Sequence, residues 1–299
     1  MILDKKRVPV SGGEMAFVDE GDGPAVLLLH GFPTSSHLWR DLAPILAPRF
    51  RAIAPDLLGY GDSDKPQDSS ALTIRAQAGH VRELMEALGV DEFAVAGHDI
   101  GGGVAQLLAL EGGVRTMVLL DSIAFDSWPI EGVRMLQAGT EEQTGGDFAE
   151  GVVRLTFDLG MGRRERLADE DFQEYVRPWR EDPSAFMRAV RAIDGIGLVG
   201  TEDRMAELDT RTLVVWGEDD PFQPSDIADR LGEALPGATV AILPGCSHFV
   251  LDDAADTVAP LVSEYLKVHY LGERHGHGGP VAVDLGVSFD RPEPEHDHE

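Results

Sequence analysis

The sequence predicts an α/β fold in which a mostly parallel central sheet is flanked by helices and interrupted by an inserted helical cap domain. Short apolar runs alternate with longer amphipathic stretches, one interval between runs is far longer than a crossover helix, and a glycine-rich turn joins one run to a helix. Runs of nearly continuous Val, Ile, Leu and Ala are typical of strands buried on both faces. The predicted strands are Ala25–Leu29, Arg51–Pro55, Phe93–Ala96, Thr116–Leu120, Thr212–Trp216 and Thr239–Leu243.

The domain organisation follows from the spacing of these runs. About 90 residues separate the fourth run from the fifth, and they have the pattern of several amphipathic helices. We therefore expect a cap at residues 122–209, inserted into a discontinuous core of residues 1–121 and 210–271. Residues 272–299 form a C-terminal extension, in which period-two alternation over 281–289 predicts one extra strand before a disordered end. The extension is either a loosely held appendage or a strand that joins a sheet edge, including that of a second copy in a homodimer.

Composition restricts the partners. The net charge of −28 argues against nucleic acid and anionic membranes, which bind clustered Lys and Arg. No run approaches the roughly 18 apolar residues of a membrane span, and the first residues lack the apolar segment of a secretory signal. Cys246 is the one cysteine, so an intramolecular disulfide is excluded and a cytoplasmic location is expected. We expect a small-molecule substrate. The acidic surface fits either solubility or salt adaptation.

The segment Gly97-His98-Asp99-Ile100-Gly101-Gly102 carries the strongest chemical signal. It follows the predicted strand Phe93–Ala96 and precedes an apolar helix at Val104–Leu110. A strand that turns sharply into a helix strains the residue at the turn, so small neighbours are needed. Such a turn projects the Asp99 side chain above the sheet, beside backbone N–H groups that favour negative charge. An N-cap role is the alternative for Asp99, but the three glycines at fixed offsets favour a nucleophile.

Three further motifs accompany this turn in order. They are His30-Gly31-Phe32-Pro33, the run Asp56-Leu57-Leu58-Gly59-Tyr60-Gly61-Asp62-Ser63-Asp64-Lys65-Pro66, and Gly245-Cys246-Ser247-His248-Phe249. With them, residues 15–121 and 210–268 resemble the α/β-hydrolase fold superfamily. The aspartate at the turn is similar to its aspartate-nucleophile branch, which holds epoxide hydrolases, haloalkane dehalogenases and haloacetate dehalogenases. The resemblance implies an enzyme that needs no cofactor and no metal.

The same resemblance implies residue roles. Asp99 would attack a saturated carbon and form an alkyl ester, since a carboxylate is already ionised at neutral pH. His248 would activate the water that hydrolyses the ester, and Asp220 would orient His248. Asp219 and Asp121 remain alternative acids.

Two backbone groups and one histidine complete the implied core of the site. The N–H groups of Phe32 and Ile100 would form the oxyanion hole. His30, in the same motif as Phe32, would hold its loop in place through hydrogen bonds.

The leaving group is harder to predict. Haloalkane dehalogenases commonly hold the halide with Asn and Trp where Phe32 and Ile100 stand, and haloacetate dehalogenases have an arginine at the second of these positions. Epoxide hydrolases protonate the substrate oxygen with cap tyrosines. Tyr175 is the one tyrosine of the cap, and the second expected position reads Met187-Arg188.

Trp128 and Trp179 are further candidate substrate-binding residues, because an indole N–H can donate to a halide. The sequence favours epoxide hydrolysis over carbon–halogen hydrolysis. A non-catalytic or ligand-sensing protein of the same fold is the alternative from another functional class. Histidine pairs at 275/277 and 296/298 are expected to form no specific metal site.

Overall fold

The central sheet of the computed structural model, which describes residues 4–139 and 145–273, has eight strands in the order β1-β2-β4-β3-β5-β6-β7-β8. The first two pairings, β1 with β2 and β2 with β4, are antiparallel, and the other five are parallel. The strands are β1 Lys6–Val10, β2 Gly13–Glu20, β3 Ala25–Leu29, β4 Arg51–Pro55, β5 Phe93–His98, β6 Val114–Leu120, β7 Arg211–Gly217 and β8 Thr239–Leu243.

The predicted fold class is confirmed, and all six predicted strands are present. Two strands, β1 and β2, were not predicted. β1 carries polar residues and is partly or fully exposed along its length, while β2 is buried only at its centre. These are edge and near-edge antiparallel strands, which lack the continuous apolar run of a strand covered on both faces.

Eleven α-helices are described in residues 4–139 and 145–273. They are α1 Ala43–Leu46, α2 Ile74–Ala87, α3 Ile100–Glu111, α4 Glu131–Gln137, α5 Gly146–Gly160, α6 Asp169–Glu181, α7 Pro183–Ala192, α8 Glu202–Met205, α9 Asp226–Ala234, α10 Val250–Asp253 and α11 Ala255–His269. Helices α4 to α8 lie between β6 and β7 in sequence, within the segment predicted as a cap. Short 3-10 helices lie at Ser36–Trp39, Ser69–Leu72 and Arg164–Arg166.

The buried centre of the sheet determines where reactive groups can lie. Strands β3 and β5 are buried at every residue, and the first ten residues of α3 are buried beside them. Parallel strands end at the same edge of a sheet, so the loops after β3, β5, β7 and β8 converge there. In this chain those loops carry Phe32, Asp99, Asp220 and His248.

Two sequence predictions fall partly or wholly outside the described residues. The strand predicted at 281–289 and the four tail histidines lie beyond residue 273. Within the described ranges, no helix is both long and apolar enough to cross a bilayer. The division into core, cap and extension stays a prediction.

Candidate active site

Asp99 occupies a sharp turn between β5 and α3. Its φ of 51° and ψ of −121° lie outside the regions that side-chain-bearing residues normally adopt. The turn is possible because the neighbouring glycines allow close backbone approach. A Cβ on Gly97 would lie 2.6 Å from the carbonyl carbon of Gly101, and one on Gly101 would lie 2.5 Å from the His30 carbonyl oxygen. The glycines therefore permit the strained backbone conformation of Asp99, which places its carboxylate above the sheet.

The two oxygens of Asp99 have different surroundings. Oδ2 accepts a hydrogen bond from the Phe32 N–H at 2.9 Å, and the Ile100 N–H also donates to this carboxylate. Oδ1 is buried and has no hydrogen-bond partner among the described residues. Burial raises the pKa of Asp99 to about 6, although His248 and the two N–H groups act to lower it. The structure thus brings both predicted oxyanion-hole groups to Asp99 and leaves one carboxylate oxygen unpaired.

His248 follows β8 and is joined to the loop after β7. Its Nδ1 is 2.9 Å from Oδ2 of Asp220, and both side chains are buried. Burial acts to lower the pKa of His248, but the charges of Asp220 and Asp99 outweigh it and raise the pKa above its usual value. With Nδ1 held by Asp220, Nε2 is the ring nitrogen available for proton transfer.

The geometry distinguishes the three candidate acids. Asp220 accepts from the N–H groups of Phe222 at 2.7 Å and Gln223 at 3.0 Å through Oδ1, which leaves Oδ2 for His248. Asp219 is exposed. Asp121 is buried, but its Oδ1 accepts from the Gly217 N–H rather than from His248. Of the three, the structure joins Asp220 to His248.

His30 has the loop-organising position expected from its motif. Its Nδ1 lies 3.0 Å from the Gly31 carbonyl oxygen, and its Nε2 accepts from the Leu57 N–H at 2.9 Å. This pair of bonds requires the neutral ring with the proton on Nδ1. Burial lowers the pKa of His30 to about 4, which keeps that form at neutral pH.

Tyr175, on α6, is buried, and its hydroxyl is bonded to charged side chains. Its hydroxyl lies 2.9 Å from Nη1 of Arg40 and 3.3 Å from Oδ2 of Asp252. Its ring stacks on Phe157, which in turn stacks on Phe249, the neighbour of His248. Its hydroxyl is therefore used by a buried charge cluster at the contact between α6 and the core.

The two candidate tryptophans differ in the state of their indole N–H. Trp179 donates to the Pro33 carbonyl oxygen at 2.9 Å and packs beside Phe32, so it forms part of the wall next to the predicted oxyanion hole. Trp128 is buried in the loop after β6, and its Nε1 has no partner among the described residues. Only Trp128 of the pair has an indole donor left for another molecule.

Two residues near the site were missed. Tyr60 packs edge-on against His30 and Trp179, with ring centroids 5.3 and 5.5 Å apart. Burial and the charge of Asp99 raise its pKa well above the usual value. Its hydroxyl has no hydrogen bond to a described residue. Tyr60 lies in the motif that begins at Asp56. That motif indicated the fold, but it gave no reason to assign a function to this tyrosine.

His98 is the second missed residue. Its Nε2 lies 2.9 Å from the His248 carbonyl oxygen, and the two imidazole rings are 4.8 Å apart. Burial and His248 lower the pKa of His98 well below its usual value, so the ring stays neutral and donates this bond. His98 thereby ties the loop of His248 to the end of β5.

Comparison with known proteins agrees with this architecture. A family model described as alpha/beta hydrolase fold matches residues 24–255. Haloalkane dehalogenase 2 of Mycobacterium tuberculosis is 31% identical over 266 residues, covering 85% of this chain and 92% of that protein. Soluble epoxide hydrolase of Corynebacterium sp. strain C12 is 36% identical over 283 residues, covering 84% and 96%.

A solved structure is similar as well. The epoxide hydrolase CorEH, without ligand, superposes with a TM-score of 0.75 at 26% identity, covering 88% of this chain and 98% of that one. Sequence and structure thus agree over most of the chain. The protein belongs to the α/β-hydrolase fold family, and it is an enzyme of that family.

Proposed function

We propose that this enzyme hydrolyses a bond at a saturated carbon through a covalent ester on Asp99, with an epoxide as its substrate class. One observation carries the proposal: Oδ2 of Asp99 accepts from the Phe32 N–H at 2.9 Å, and the Ile100 N–H also bonds to the carboxylate, whereas Oδ1 has no partner among the described residues. An oxygen with a free lone pair is the one that can attack.

In the first step, Oδ1 of Asp99 attacks the substrate carbon and the carbon–oxygen bond of the epoxide breaks. The product of this step is an alkyl ester whose carbonyl oxygen is Oδ2. The epoxide oxygen keeps the electrons of the broken bond and becomes an alkoxide, which must receive a proton.

In the second step, His248 removes a proton from water through Nε2 and the hydroxide adds to the ester carbonyl carbon of Asp99. Negative charge then develops on Oδ2, which the Phe32 and Ile100 N–H groups stabilise. Collapse of this intermediate breaks the bond between the carbonyl carbon and Oδ1, and the leaving oxygen takes the proton held by His248 and departs as part of the diol. The carboxyl group then loses its remaining proton, which restores the Asp99 carboxylate. Asp220 keeps the His248 proton on Nδ1 and stabilises the ring when it becomes charged.

The choice of an epoxide rests on the available donors. Phe32 and Ile100 offer no side-chain donor to a halide, and the Tyr175 hydroxyl is bonded to Arg40 and Asp252. Tyr60 lies within range of the Asp99 charge and its phenol has no partner among the described residues. A phenol whose pKa is raised remains a hydrogen-bond donor at neutral pH. We assign Tyr60 as the group that protonates the alkoxide.

Carbon–halogen hydrolysis is the second candidate, favoured by the unpaired Nε1 of buried Trp128. A relative named haloalkane dehalogenase points the same way. Both candidates share the Asp99 ester and differ only in what leaves.

The experiment is to incubate the His248→Gln variant with a panel of epoxides and haloalkanes and to weigh the protein. The ester is expected to accumulate, because water is no longer activated, and digestion should locate the added mass on Asp99. Wild-type enzyme should release diol from the reactive epoxides. Halide release without diol formation would identify haloalkanes, rather than epoxides, as the substrate class. A protein that gains no mass from any substrate would contradict the ester mechanism.

A further inference from the structure

Asp121 is a buried carboxyl that the proposed mechanism does not use. It follows β6, its side chain is fully buried, and its φ of 41° is in the left-handed region, which is unusual for a residue with a side chain. Its N–H donates to the Val215 carbonyl oxygen at 3.1 Å, and its Oδ1 accepts from the Gly217 N–H at 2.8 Å. The backbone is therefore held so that this carboxyl points to the loop after β7.

That loop carries Asp220, and the carboxyl groups of Asp121 and Asp220 are neighbours. Gly217 links them, because its N–H bonds to Asp121 and its carbonyl oxygen accepts from the Asp220 N–H at 3.4 Å. Both carboxyls are buried, and a side-chain interaction with Asp220 is among the causes that raise the pKa of Asp121. In the described part of the chain, neither is paired with a lysine or arginine. Protonated His248 can balance one of these charges, but beside a neutral His248 two buried anions in contact repel each other strongly, so the pair must then hold a proton.

The hydrogen-bond donors indicate which carboxyl carries the proton. Asp220 accepts from the Phe222 and Gln223 N–H groups and from His248, and all three stabilise its anion. Among the described residues, Asp121 accepts only from the Gly217 N–H, and no N–H or O–H group donates to its Oδ2. Burial and the charge of Asp220 raise the pKa of Asp121 well above its usual value, and Asp253 acts in the same direction.

We propose that Asp121 is a neutral carboxylic acid whose Oδ2–H donates to Asp220 and positions it for His248. Asp121 is then a positioning residue that acts through Asp220. Its hydrogen bond withdraws part of the negative charge from Asp220. The remaining charge stabilises protonated His248 less, so His248 gives up its proton more readily and can act as a base. The inference rests on the proposed function only for the role of Asp220.

Within the described residues, three titratable groups face Asp121 and could contribute to a pH effect on its protonation. They are Asp220, Asp253 and the buried thiol of Cys246, whose pKa burial raises to about 11. The Asp253 carboxylate is held by the N–H groups of Gly162, Arg163 and Ser247. Asp121 and Asp220 are therefore the pair to compare.

The first test uses the resting protein and needs no substrate. With aspartate labelled at the side-chain carboxyl carbon, carbon NMR should show a protonated carboxyl at about pH 8, far above the ordinary aspartate pKa. That signal should be absent from Asp121→Asn. If every aspartate is ionised at this pH, or if the protonated signal survives in Asp121→Asn, the inference is wrong, whatever the enzyme does.

The second test compares Asp121→Asn with Asp121→Val in single-turnover ester hydrolysis. The amide of Asn can accept from Gly217 and donate to Asp220, whereas Val can do neither. As the pH is lowered, the rate of ester hydrolysis by Asp121→Val should begin to fall at a pH about half to one unit higher than in the wild type. The reason is that the full charge of Asp220 then raises the pKa of His248. In Asp121→Asn this fall should occur at the wild-type pH. Equal shifts in both variants, or none in either, would contradict the donor role.

Discussion

The N–H of Phe32 donates to Oδ2 of Asp99 at 2.9 Å, across 67 positions of sequence. The loop after β3 and the turn after β5 meet because these strands are neighbours in the sheet. In the proposed mechanism, the oxygen that is held in the resting protein becomes the ester carbonyl oxygen after Oδ1 attacks. The donors that orient the nucleophile are therefore already in place for the intermediate that follows.

This arrangement predicts the fate of the water oxygen. Because water attacks the carbonyl carbon of the Asp99 ester, one turnover in oxygen-18 water should place the label in Asp99 and not in the diol. The measurement is mass spectrometry of the peptide that contains Asp99 after a single turnover with excess enzyme. Label found in the diol alone would mean that water attacks the substrate directly.

The raised pKa of Asp99 predicts the pH dependence of the first step. Asp99 attacks only when ionised, so the rate of ester formation should rise with pH and level off above about pH 6. An ordinary aspartate, with a pKa near 3.9, would give a flat rate over that range. Stopped-flow measurement of the burst phase separates ester formation from hydrolysis. A burst rate that is constant from pH 5 to 8 would show that burial does not perturb Asp99.

Tyr60 and Tyr175 form a matched pair for the protonation of the leaving alkoxide. Tyr60→Phe should lower kcat for an epoxide by about 100-fold, the usual range for loss of a general acid. Tyr175→Phe should leave kcat near wild type and reduce stability by about 1 kcal/mol, through loss of its bonds to Arg40 and Asp252. Steady-state rates and urea unfolding of both variants decide the matter. A loss of kcat confined to Tyr175→Phe would reverse the assignment.

Asp220 and its exposed neighbour Asp219 provide a second matched pair. Asp220→Asn should reduce kcat by about 10³-fold or more, because the amide favours the wrong tautomer of His248. Asp219→Asn makes the same chemical change one residue away, outside the buried site, and should stay within about twofold of wild type. Ester should still form in Asp220→Asn and accumulate, as in His248→Gln. Equal losses in the two variants would exclude Asp220 as the orienting acid.

Arg40 links α6 to the core through a buried ion pair. It lies 2.6 Å from Oδ1 of Asp252, which is fully buried, and 3.2 Å from Oδ1 of Asp171 on α6. Arg40→Met leaves Asp252 without its cation and should destabilise the protein by about 3 kcal/mol. Adding Asp252→Asn should recover much of the loss, since no buried charge then remains. Unfolding in urea measures both. A single variant as stable as wild type would show that Asp252 does not need Arg40.

Much of the fold could be predicted from local sequence. The six parallel strands are recognisable as continuous apolar runs, and all of them except the edge strand β8 are buried over most of their length. The turn at Asp99 is recognisable from the glycines that its backbone geometry requires. The antiparallel strands β1 and β2 were missed since they are polar on exposed faces. Their position depends on pairing with β4, which no local pattern reports.

The candidate active site could also be predicted only in part. By itself, the sequence determined that a carboxylate would stand at a strained turn, with a histidine and an aspartate at the ends of later strands. Only the tertiary structure decided which partners the side chains have. It placed Asp220 rather than Asp219 or Asp121 against His248, paired Tyr175 with Arg40 and Asp252, and packed Tyr60 against His30 and Trp179. Hydrogen bonds and burial depend on distances of a few tenths of an ångström between distant segments, and these are set by packing rather than by the spacing of residues along the chain.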